Sequence, residues 1–318
     1  MTKYLFIFIF AIYGCQENSS VKSLIEIRTE IAKFKNESDS LNANFILKSI
    51  EKFNDKEHLI SKVEYYDNGK PEQEYNYEYN ENGLLSKITM TDHYGKGSLN
   101  TETFKYNSSD SLIYKKTSEN TFSMRDSFIR DSGNRLIMQK TFIKTDTLIQ
   151  FKEFTYDLDD NLSIEKRFNK DKLLLDSIGY RFNDSGLMTK EYVYNRNEFD
   201  IYDYQNEHTY DSFGNNIKSK MYIDSDSSYT IFEREFYKNG KLRLLKTKGI
   251  GYTRFNSTIQ VFDSLGNMIS NRIIGDGGSA EKNWSMKFGY DSEGNWISKK
   301  SYYQNKLRSI TKRTLTYK

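Results

Sequence analysis

Few residues in this sequence combine the types and spacing that chemistry requires. The three histidines, His58, His93 and His208, are about 35 and 115 residues apart, and no cysteine or second histidine stands near them at metal-ligand spacing. We therefore expect three isolated, solvated histidines. The sequence also lacks a serine-nucleophile elbow, a phosphate-binding loop and a His-Glu-x-x-His pair. It predicts no catalytic residue, no cofactor and no metal site.

Two groups of aspartates could in principle bind calcium through carboxylate oxygens. They are Asp157, Asp159 and Asp160, and separately Asp224 with Asp226. Neither group has the ligand series and bidentate glutamate of an EF-hand loop, and aspartate is common in tight turns. We therefore predict a structural role for both groups. Carboxylates are so plentiful in this chain that their presence alone does not indicate a glycoside hydrolase.

Cys15 is the only cysteine in the chain, and it follows a short apolar segment. Tyr4 to Tyr13 is too short to cross about 30 Å of hydrocarbon, and it follows Lys3, which is typical of a signal peptide. Ile12-Tyr13-Gly14-Cys15 resembles the lipobox of bacterial lipoproteins. The resemblance implies a signal peptide over 1–14, a lipid on Cys15 and a membrane as partner. Gln16, in place of an aspartate, favours the outer membrane within the bacterial cell envelope.

Composition restricts the class of the remaining chain. Of 318 residues, 36% are hydrophobic and 15% aromatic, with 25 Tyr, 21 Phe and one Pro. Such a composition suits a half-exposed sheet better than the packed layers of a large α/β enzyme. The 47 Lys and Arg nearly balance 44 Asp and Glu, which leaves a net charge of +3. A charge this small and evenly mixed does not predict a nucleic-acid partner.

A hexapeptide repeats along the chain. The best copies begin at Tyr210, Phe262 and Tyr290, and weaker copies begin at 53, 79, 106, 129, 156, 182 and 237, at intervals of 23 to 28 residues. In each copy an aromatic residue ends a strand, Asp or Asn starts a turn, and Gly or Asn takes the positions with positive φ. A second, looser turn lies between consecutive copies. One repeat is therefore one β-hairpin.

The predicted structural turn residues occupy the aromatic, acidic, glycine and closing asparagine positions of these copies. They are Tyr79, Gly83, Gly133, Tyr156, Gly186, Tyr210, Asp211, Gly214, Asn215, Asp263, Gly266, Asn267, Tyr290, Asp291, Gly294 and Asn295.

Alternation along the strands predicts two unlike faces of one sheet. After Gly214, the modestly apolar face should carry Ile217, Ser219, Met221 and Ile223, and the basic face should carry Asn216, Lys218, Lys220 and Tyr222. After Gly294, Ile297, Lys299, Ser301 and Tyr303 should oppose Trp296, Ser298, Lys300 and Tyr302.

The fold class predicted from these repeats is all-β. Residues 46–318 should form an antiparallel meander of about ten two-stranded repeats. Open twisted sheets rarely exceed about ten strands, because adjacent strands rotate by about 20° to 25°. We therefore expect the apolar face to curl inward and give a spiral, a superhelical ribbon or a shell.

The Tyr-Asp-x-x-Gly-Asn turns at this spacing resemble the YD repeats of the Rhs family. The resemblance implies strands that wind into a β shell, without the toxin domain and self-cleaving region of the large members. Short copies such as Tyr66-Asp67-Asn68-Gly69-Lys70 are also similar to MORN-type hairpins. Both comparisons favour a β-meander.

Residues 15–45 are predicted to form the lipidated cysteine, a polar tether and an N-terminal cap. The stretch Val21 to Lys35 shows both helical spacing and strand-like alternation. We expect an extra hairpin or a short helix that covers the first exposed sheet edge.

Three functions remain open from the sequence. We favour a membrane-anchored lipoprotein that is not an enzyme and acts as a repeat scaffold binding an envelope protein or glycan. A glycan-active hydrolase on a β shell is the alternative. An outer-membrane β-barrel is less favoured, because Ser219, Asn271 and Lys299 interrupt the more apolar stripe where a barrel needs an unbroken band.

Overall fold

The computed structural model describes residues 23–34, 40, 43–94, 97–119, 121–144, 146–195, 204–223, 225–250, 257–275 and 281–318. These residues form 22 β-strands. They are β1 Leu24–Lys33, β2 Ile46–Phe53, β3 Leu59–Tyr65, β4 Pro71–Tyr79, β5 Leu85–Asp92, β6 Ser98–Tyr106, β7 Leu112–Glu119, β8 Phe122–Arg130, β9 Leu136–Ile143, β10 Thr147–Tyr156, β11 Leu162–Asn169, β12 Leu174–Phe182, β13 Met188–Asn195, β14 Tyr204–Tyr210, β15 Asn216–Ile223, β16 Ser225–Phe236, β17 Leu242–Ile250, β18 Ser257–Phe262, β19 Met268–Ile274, β20 Lys282–Tyr290, β21 Trp296–Tyr303 and β22 Lys306–Tyr317.

The strands form one closed antiparallel sheet. Each strand pairs with the next along the chain, from β1–β2 to β21–β22. The first strand also pairs with the last, with Leu24 opposite Tyr317 and Lys33 opposite Ser309. The sheet therefore has no free edge at either end, which removes the exposed ladder groups that promote aggregation.

This closure confirms the predicted all-β meander and corrects its shape. The sheet is a closed barrel, so of the three expected shapes the shell is confirmed, and the spiral and the superhelical ribbon were wrong. β1 lies in the stretch that was expected to cap the sheet edge, and it closes the barrel as a strand. The alternation of Ile25, Ile27, Thr29 and Ile31 prevails over the helical spacing, because a strand here can pair on both sides.

The turns of the hexapeptide lie along one rim of the barrel. Ten of them in the described chain join an even-numbered strand to the following odd-numbered strand, so all ten lie at the same end. We call this end the turn rim and the opposite end the far rim. The chain also enters the barrel at the turn rim, where the Lys318 N–H donates to the Ser23 carbonyl over 2.9 Å.

The two faces of the sheet differ in exposure. Residues that pair directly across strands share a face. One face carries the tyrosines that precede the hexapeptide turns, such as Tyr156 and Tyr210. This face also includes four residues that are only 4–6% exposed, namely Thr141, Ser219, Thr230 and Thr311. The other face carries the exposed lysines Lys105, Lys166, Lys246 and Lys300. Since side chains converge on a concave surface, we infer that the tyrosine-bearing face is the inner face.

A β-bulge beside each hexapeptide turn shifts the predicted alternation. Tyr210 pairs with Asn216 and Thr209 with Lys218, so Ile217 is an extra residue between them. Tyr290 pairs with Trp296 and Gly289 with Ser298, which makes Ile297 the extra residue. Asn216 and Trp296 consequently share the inner face with the tyrosines, which corrects their predicted side. From Lys218 and Ser298 onward, the two predicted faces agree with the strand pairing.

Buried apolar packing is confined to one small cluster in the described residues. Ala32, Phe34 and Leu307 are buried there, and the neighbouring residues 43 and 45 pack against them. The barrel is therefore held mainly by its strand pairing and by contacts between neighbouring strands, as in repeat arrays. None of the described residues belongs to a helix long and apolar enough to span a bilayer.

Candidate functional site

The Asp211 turn shows how the hexapeptide builds its rim. The Asp211 N–H donates to the Asn215 carbonyl over 3.0 Å, and the Gly214 N–H donates to the Asp211 carbonyl over 3.1 Å. The Asp211 carboxylate accepts the N–H groups of Phe213 and Asn215, both over 2.9 Å. A bond from the Asn215 side chain, together with these backbone bonds, lowers the pKa of Asp211, although burial opposes the shift. The aspartate is therefore committed to the turn.

The predicted glycines mostly take the left-handed position. Five of them have φ between +72° and +92°, namely Gly83, Gly186, Gly214, Gly266 and Gly294. The copy near 130 differs by one residue: the Asp131 N–H bonds Arg135, and Asn134, with φ of +67°, takes the left-handed position in place of Gly133. That copy begins at Arg130 and not at Ile129. The copy predicted at Tyr237 likewise begins one residue earlier, at Phe236.

In four of the described repeats, a tyrosine hydroxyl links the turn to the preceding repeat. The Tyr79 hydroxyl donates to the Leu59 carbonyl over 2.9 Å, and the Tyr210 hydroxyl donates to the Met188 carbonyl over 2.6 Å. Tyr106 and Tyr156 make the same bond. The aromatic residue that the sequence marks as a strand end is thus also a connector between hairpins.

Arg130 takes the tyrosine position in one repeat. Its Nη2 donates to the Leu112 carbonyl over 3.4 Å and its Nη1 to the Asn134 carbonyl over 2.8 Å. A guanidinium thereby reaches the same strand-start carbonyl that a tyrosine hydroxyl reaches elsewhere. Because Arg130 is not aromatic, the aromatic pattern of the hexapeptide does not mark this position. Its spacing of 24 residues from Tyr106 does.

In the last two repeats, the tyrosine hydroxyl donates to a carboxylate and not to a backbone carbonyl. The Tyr290 hydroxyl bonds the Asp263 carboxylate, and Tyr317 donates to Asp291 over 2.9 Å. Burial and the bond to Asp263 raise the pKa of Tyr290 to about 12. Burial opposes a low value for Asp263, but the bonds from Tyr290, Asn267 and the backbone keep its pKa below the usual range. Asn267 and Asn295 donate to the same hydroxyls over 2.9 and 2.8 Å.

A polar cluster on the inner face surrounds His208. Ser219 lies directly opposite, with its Oγ 2.9 Å from His208 Nδ1. Arg234 Nη1 donates to Ser219 Oγ over 3.0 Å and to Asn216 Oδ1 over 3.1 Å. Burial lowers the pKa of His208, and burial also lowers that of Arg234. The imidazole is therefore neutral near pH 7, and its buried Nε2 has no partner among the described residues.

This cluster brings a hydroxyl, an imidazole and a guanidinium together, as a nucleophilic site does. Ser219, however, is only 5% exposed. Its hydroxyl oxygen is also already bonded to Arg234, so an incoming substrate has little access to it. The arrangement is better suited to joining three strands than to catalysis.

The other two histidines also have side-chain contacts, so the prediction of isolated histidines was wrong, although His93 is exposed to solvent as expected. His58 stacks on the Tyr79 ring at 4.5 Å between centroids. His93 Nε2 lies 3.3 Å from a Glu74 carboxylate oxygen. Pairing of consecutive strands brings these residues together across 21 and 19 positions of chain, and metal-ligand spacing does not show such contacts.

Of the two aspartate groups that were predicted to be structural, the described residues include the one at Asp157, Asp159 and Asp160. Asp157 caps its own turn by accepting the N–H groups of Asp159 and Asn161 over 3.0 and 2.9 Å. Asp160 forms an ion pair with Arg135. Asp224 and the Asp226 side chain lie outside the described part, within which no group of three or more His, Cys, Asp or Glu is arranged to hold a metal ion.

The outer face is rich in cations stacked against rings. Lys105 lies 5.2 Å from the Tyr114 ring centre, and Lys220 lies 5.5 Å from that of Tyr229. The same contact recurs at Arg125 with Phe142, Arg181 with Tyr192 and Lys287 with Tyr302. Through these pairs, rings and charges alternate over much of the outer face of the barrel, which we call the outer wall.

Cys15 lies outside the described residues, but its distance from the barrel is limited by the chain. Ser23 begins the described part at the turn rim, eight residues after Cys15. An extended chain spans at most about 3.6 Å per residue, so eight residues reach about 29 Å. Any group on Cys15 is consequently within that distance of the turn rim.

Comparison with known proteins gives distant structural neighbours only. No protein-family model and no curated protein matches the chain. The crystal structure of TcdB2-TccC3-Cdc42 is 11% identical over 92% of this chain, with a TM-score of 0.32, and that of TcdB2-TccC3 is 10% identical over 92%, with 0.30. This chain covers about a fifth of those chains, 20% in each case.

A second kind of neighbour is similar in length. The crystal structure of a porin-like protein from Bacteroides uniformis is 8% identical over 92% of this chain and 96% of its own, with a TM-score of 0.34. TM-scores this low do not assign the chain to a family.

Proposed function

We propose that the protein is a lipid-anchored, non-catalytic β barrel of the bacterial envelope that binds an envelope protein or glycan on its outer wall. The observation that supports this most is the outer wall itself, where cations and aromatic rings recur over many strands. Such a surface offers ring faces for stacking and charges for anionic groups. The closed sheet holds that surface rigid, which lowers the ordering cost of binding.

Anchoring at Cys15 would orient the barrel. Each buried methylene of a lipid chain contributes about 0.8 kcal/mol, so two or three chains give stable attachment. Because the tether is short, the turn rim would face the membrane and the far rim would point away from it. A ligand could then approach the outer wall and far rim freely.

Three cavities of the described residues favour binding over hydrolysis. They measure about 430, 410 and 570 Å³. Asp55 is the only carboxylate that lines the first, Asp211 the only one in the third, and none lines the second. Glycoside hydrolysis usually requires two carboxylates across the scissile bond. These cavities therefore supply no acid pair for the hydrolase alternative.

The outer-membrane barrel remains disfavoured, but for a different reason than the sequence suggested. Ser219, Asn271 and Lys299 lie on the inner face, so they do not bear on a lipid-facing band. The outer face carries Lys220 and Lys246 in the middle of their strands. A lysine at the bilayer midplane costs about 2–4 kcal/mol. An outer wall with many such lysines is suited to water.

Metabolic labelling tests the anchor and the function together. Cells expressing the full chain are grown with a clickable palmitate analogue, and their membranes are compared with those of a Cys15→Ala variant. We expect label and membrane association in the natural chain only, and capture of purified envelope glycans or proteins by the detergent-purified protein. An unlabelled, soluble natural chain would contradict the anchor. Failure to capture any envelope component would contradict the binding role.

A further inference from the structure

One patch of the outer wall concentrates positive charge. On strands β6–β9, the residues whose pairing places them on the outer face are Leu99, Thr101, Thr103, Lys105, Tyr114, Lys116, Ser118, Ser123, Arg125, Ser127, Ile129, Met138, Lys140 and Phe142. Four of these are cations and none is a carboxylate. The inner face of the same strands carries the acids Glu102, Glu119 and Asp126 together with the cations Lys115 and Arg130. On these strands only the outer face is free of acids.

Two of the cations are paired unfavourably. Lys116 lies directly opposite Arg125 on neighbouring strands. Like charges in directly opposite positions destabilise a sheet. Within the described part, the only carboxylate that forms an ion pair with either is Asp146, 2.8 Å from Arg125 Nη2 and itself 77% exposed. A bound anion would relieve this repulsion.

The cations surround a cavity of about 410 Å³ near the far rim. Its lining comprises Tyr114, Lys116, Thr121, Ser123, Arg125 and Lys144. This volume is within the range of about 300–1,000 Å³ for ligand sites. The lining thus offers three cations, three hydroxyls and one ring. Lys144 is fixed there because its N–H donates to the Ser123 carbonyl over 2.8 Å.

Two side chains of the cavity, Arg125 and Tyr114, make ring contacts before any ligand arrives. The Arg125 guanidinium stacks on the Phe142 ring at 4.2 Å, and Lys105 holds the Tyr114 ring from the other side of the patch. Arg125 Nε is buried and has no hydrogen-bond partner among the described residues.

We propose that this cavity, which we call the cation cavity, binds an acidic glycan through the carboxylate or phosphate group of a sugar unit. Lys116, Arg125 and Lys144 would bind the anion, the hydroxyls would bond sugar oxygens, and Tyr114 would stack on the ring. This inference rests on the proposed function and names its ligand class. A nucleic acid fits less well, because its phosphates need a continuous basic track and the next outer-facing strand carries Glu153.

Titration of the detergent-purified full chain with polygalacturonate, a uronic-acid polymer, tests the proposal. We expect saturable binding that weakens with salt, and no binding of neutral dextran. Lys116→Ala and Arg125→Gln should each weaken binding about tenfold, since bonds to charged groups are strong. Asp146→Asn should tighten binding, because it removes the competing carboxylate. Lys166→Ala is the matched control, since Lys166 lies opposite Glu153 on the outer face.

Thermal melts show whether each variant is folded. Lys116→Ala should not lower the melting temperature, because it removes a like-charge contact. Equal binding by the natural chain, Lys116→Ala and Arg125→Gln would overturn the proposal. So would equally tight binding of dextran, or DNA binding that depends on the same two residues. Capture of a different envelope component with no polygalacturonate binding would overturn this inference alone and leave the binding role intact.

Discussion

At the scale of single residues, the turn rim depends on hydroxyl donors placed against fixed acceptors. Tyr79 and Tyr210 reach backbone carbonyls of the preceding repeat, whereas Tyr290 reaches the Asp263 carboxylate. A bond to a charged acceptor is stronger than one to a carbonyl, but it depends on the protonation of both partners. The last repeats are therefore the ones in which pH acts on the rim directly.

Tyr290 gives an expected dependence of stability on alkaline pH. Its pKa in the folded chain, about 12, lies above the ordinary value of 10.0. The protonated hydroxyl makes its full contribution to the free energy of unfolding below pH 10, and this contribution is lost as pH rises through 12. The urea midpoint of the natural chain should therefore fall more steeply between pH 10 and 12 than that of Tyr290→Phe. Parallel slopes would show that Tyr290 is not the protonated donor to Asp263.

At the scale of elements, the hairpin repeat was predictable because its turn chemistry is local. Asp211, Gly214 and Asn215 act within five residues of chain, so the sequence shows them directly. The Ile217 bulge and the Arg130 substitution were not predictable in this way. Both depend on the partner strand, one on where pairing resumes and the other on which carbonyl lies within reach.

Gly294 occupies the left-handed position of its turn, so different substitutions there should cost different amounts of stability. Its φ is +81°, and an added Cβ would meet nothing within 4 Å. Any loss of stability on substitution must then come from the backbone conformation. Gly294→Val should cost about 1–2 kcal/mol. Gly294→Asn should cost less, because Asn134 already occupies the equivalent position with φ of +67°.

Chemical denaturation of the two Gly294 variants measures this difference. The natural chain provides the reference midpoint. Equal losses for Asn and Val would contradict a backbone origin and would indicate a side-chain contact at the rim.

At the scale of the whole molecule, the repeat number and the first strand together decide closure. The hexapeptide spacing predicts ten hairpins, but nothing in it shows that β1 joins β22. That pairing connects residues almost 290 positions apart, for example Arg28 with Thr314. The same limit applies to the cation cavity, since Lys116 and Lys144 are brought together only by the order of the strands. The even charge balance of the sequence likewise conceals the cluster of cations on the outer face of β6–β9.

Cross-linking across the β1–β22 seam tests the closed barrel most directly. Arg28 and Thr314 are exposed partners on neighbouring strands, where Cα atoms lie about 4.5–5.5 Å apart, within disulfide range. Arg28→Cys with Thr314→Cys is made in a Cys15→Ser background. Thr89→Cys with Thr101→Cys is the positive control, and Arg28→Cys with Ser270→Cys is the negative control.

Mild oxidation followed by non-reducing electrophoresis gives the result. The closed barrel predicts that the 28–314 pair forms an intramolecular disulfide as readily as the 89–101 pair, while the 28–270 pair does not. Disulfide formation in the 89–101 pair alone would mean that the two ends of the sheet stay apart, and it would contradict the closed barrel.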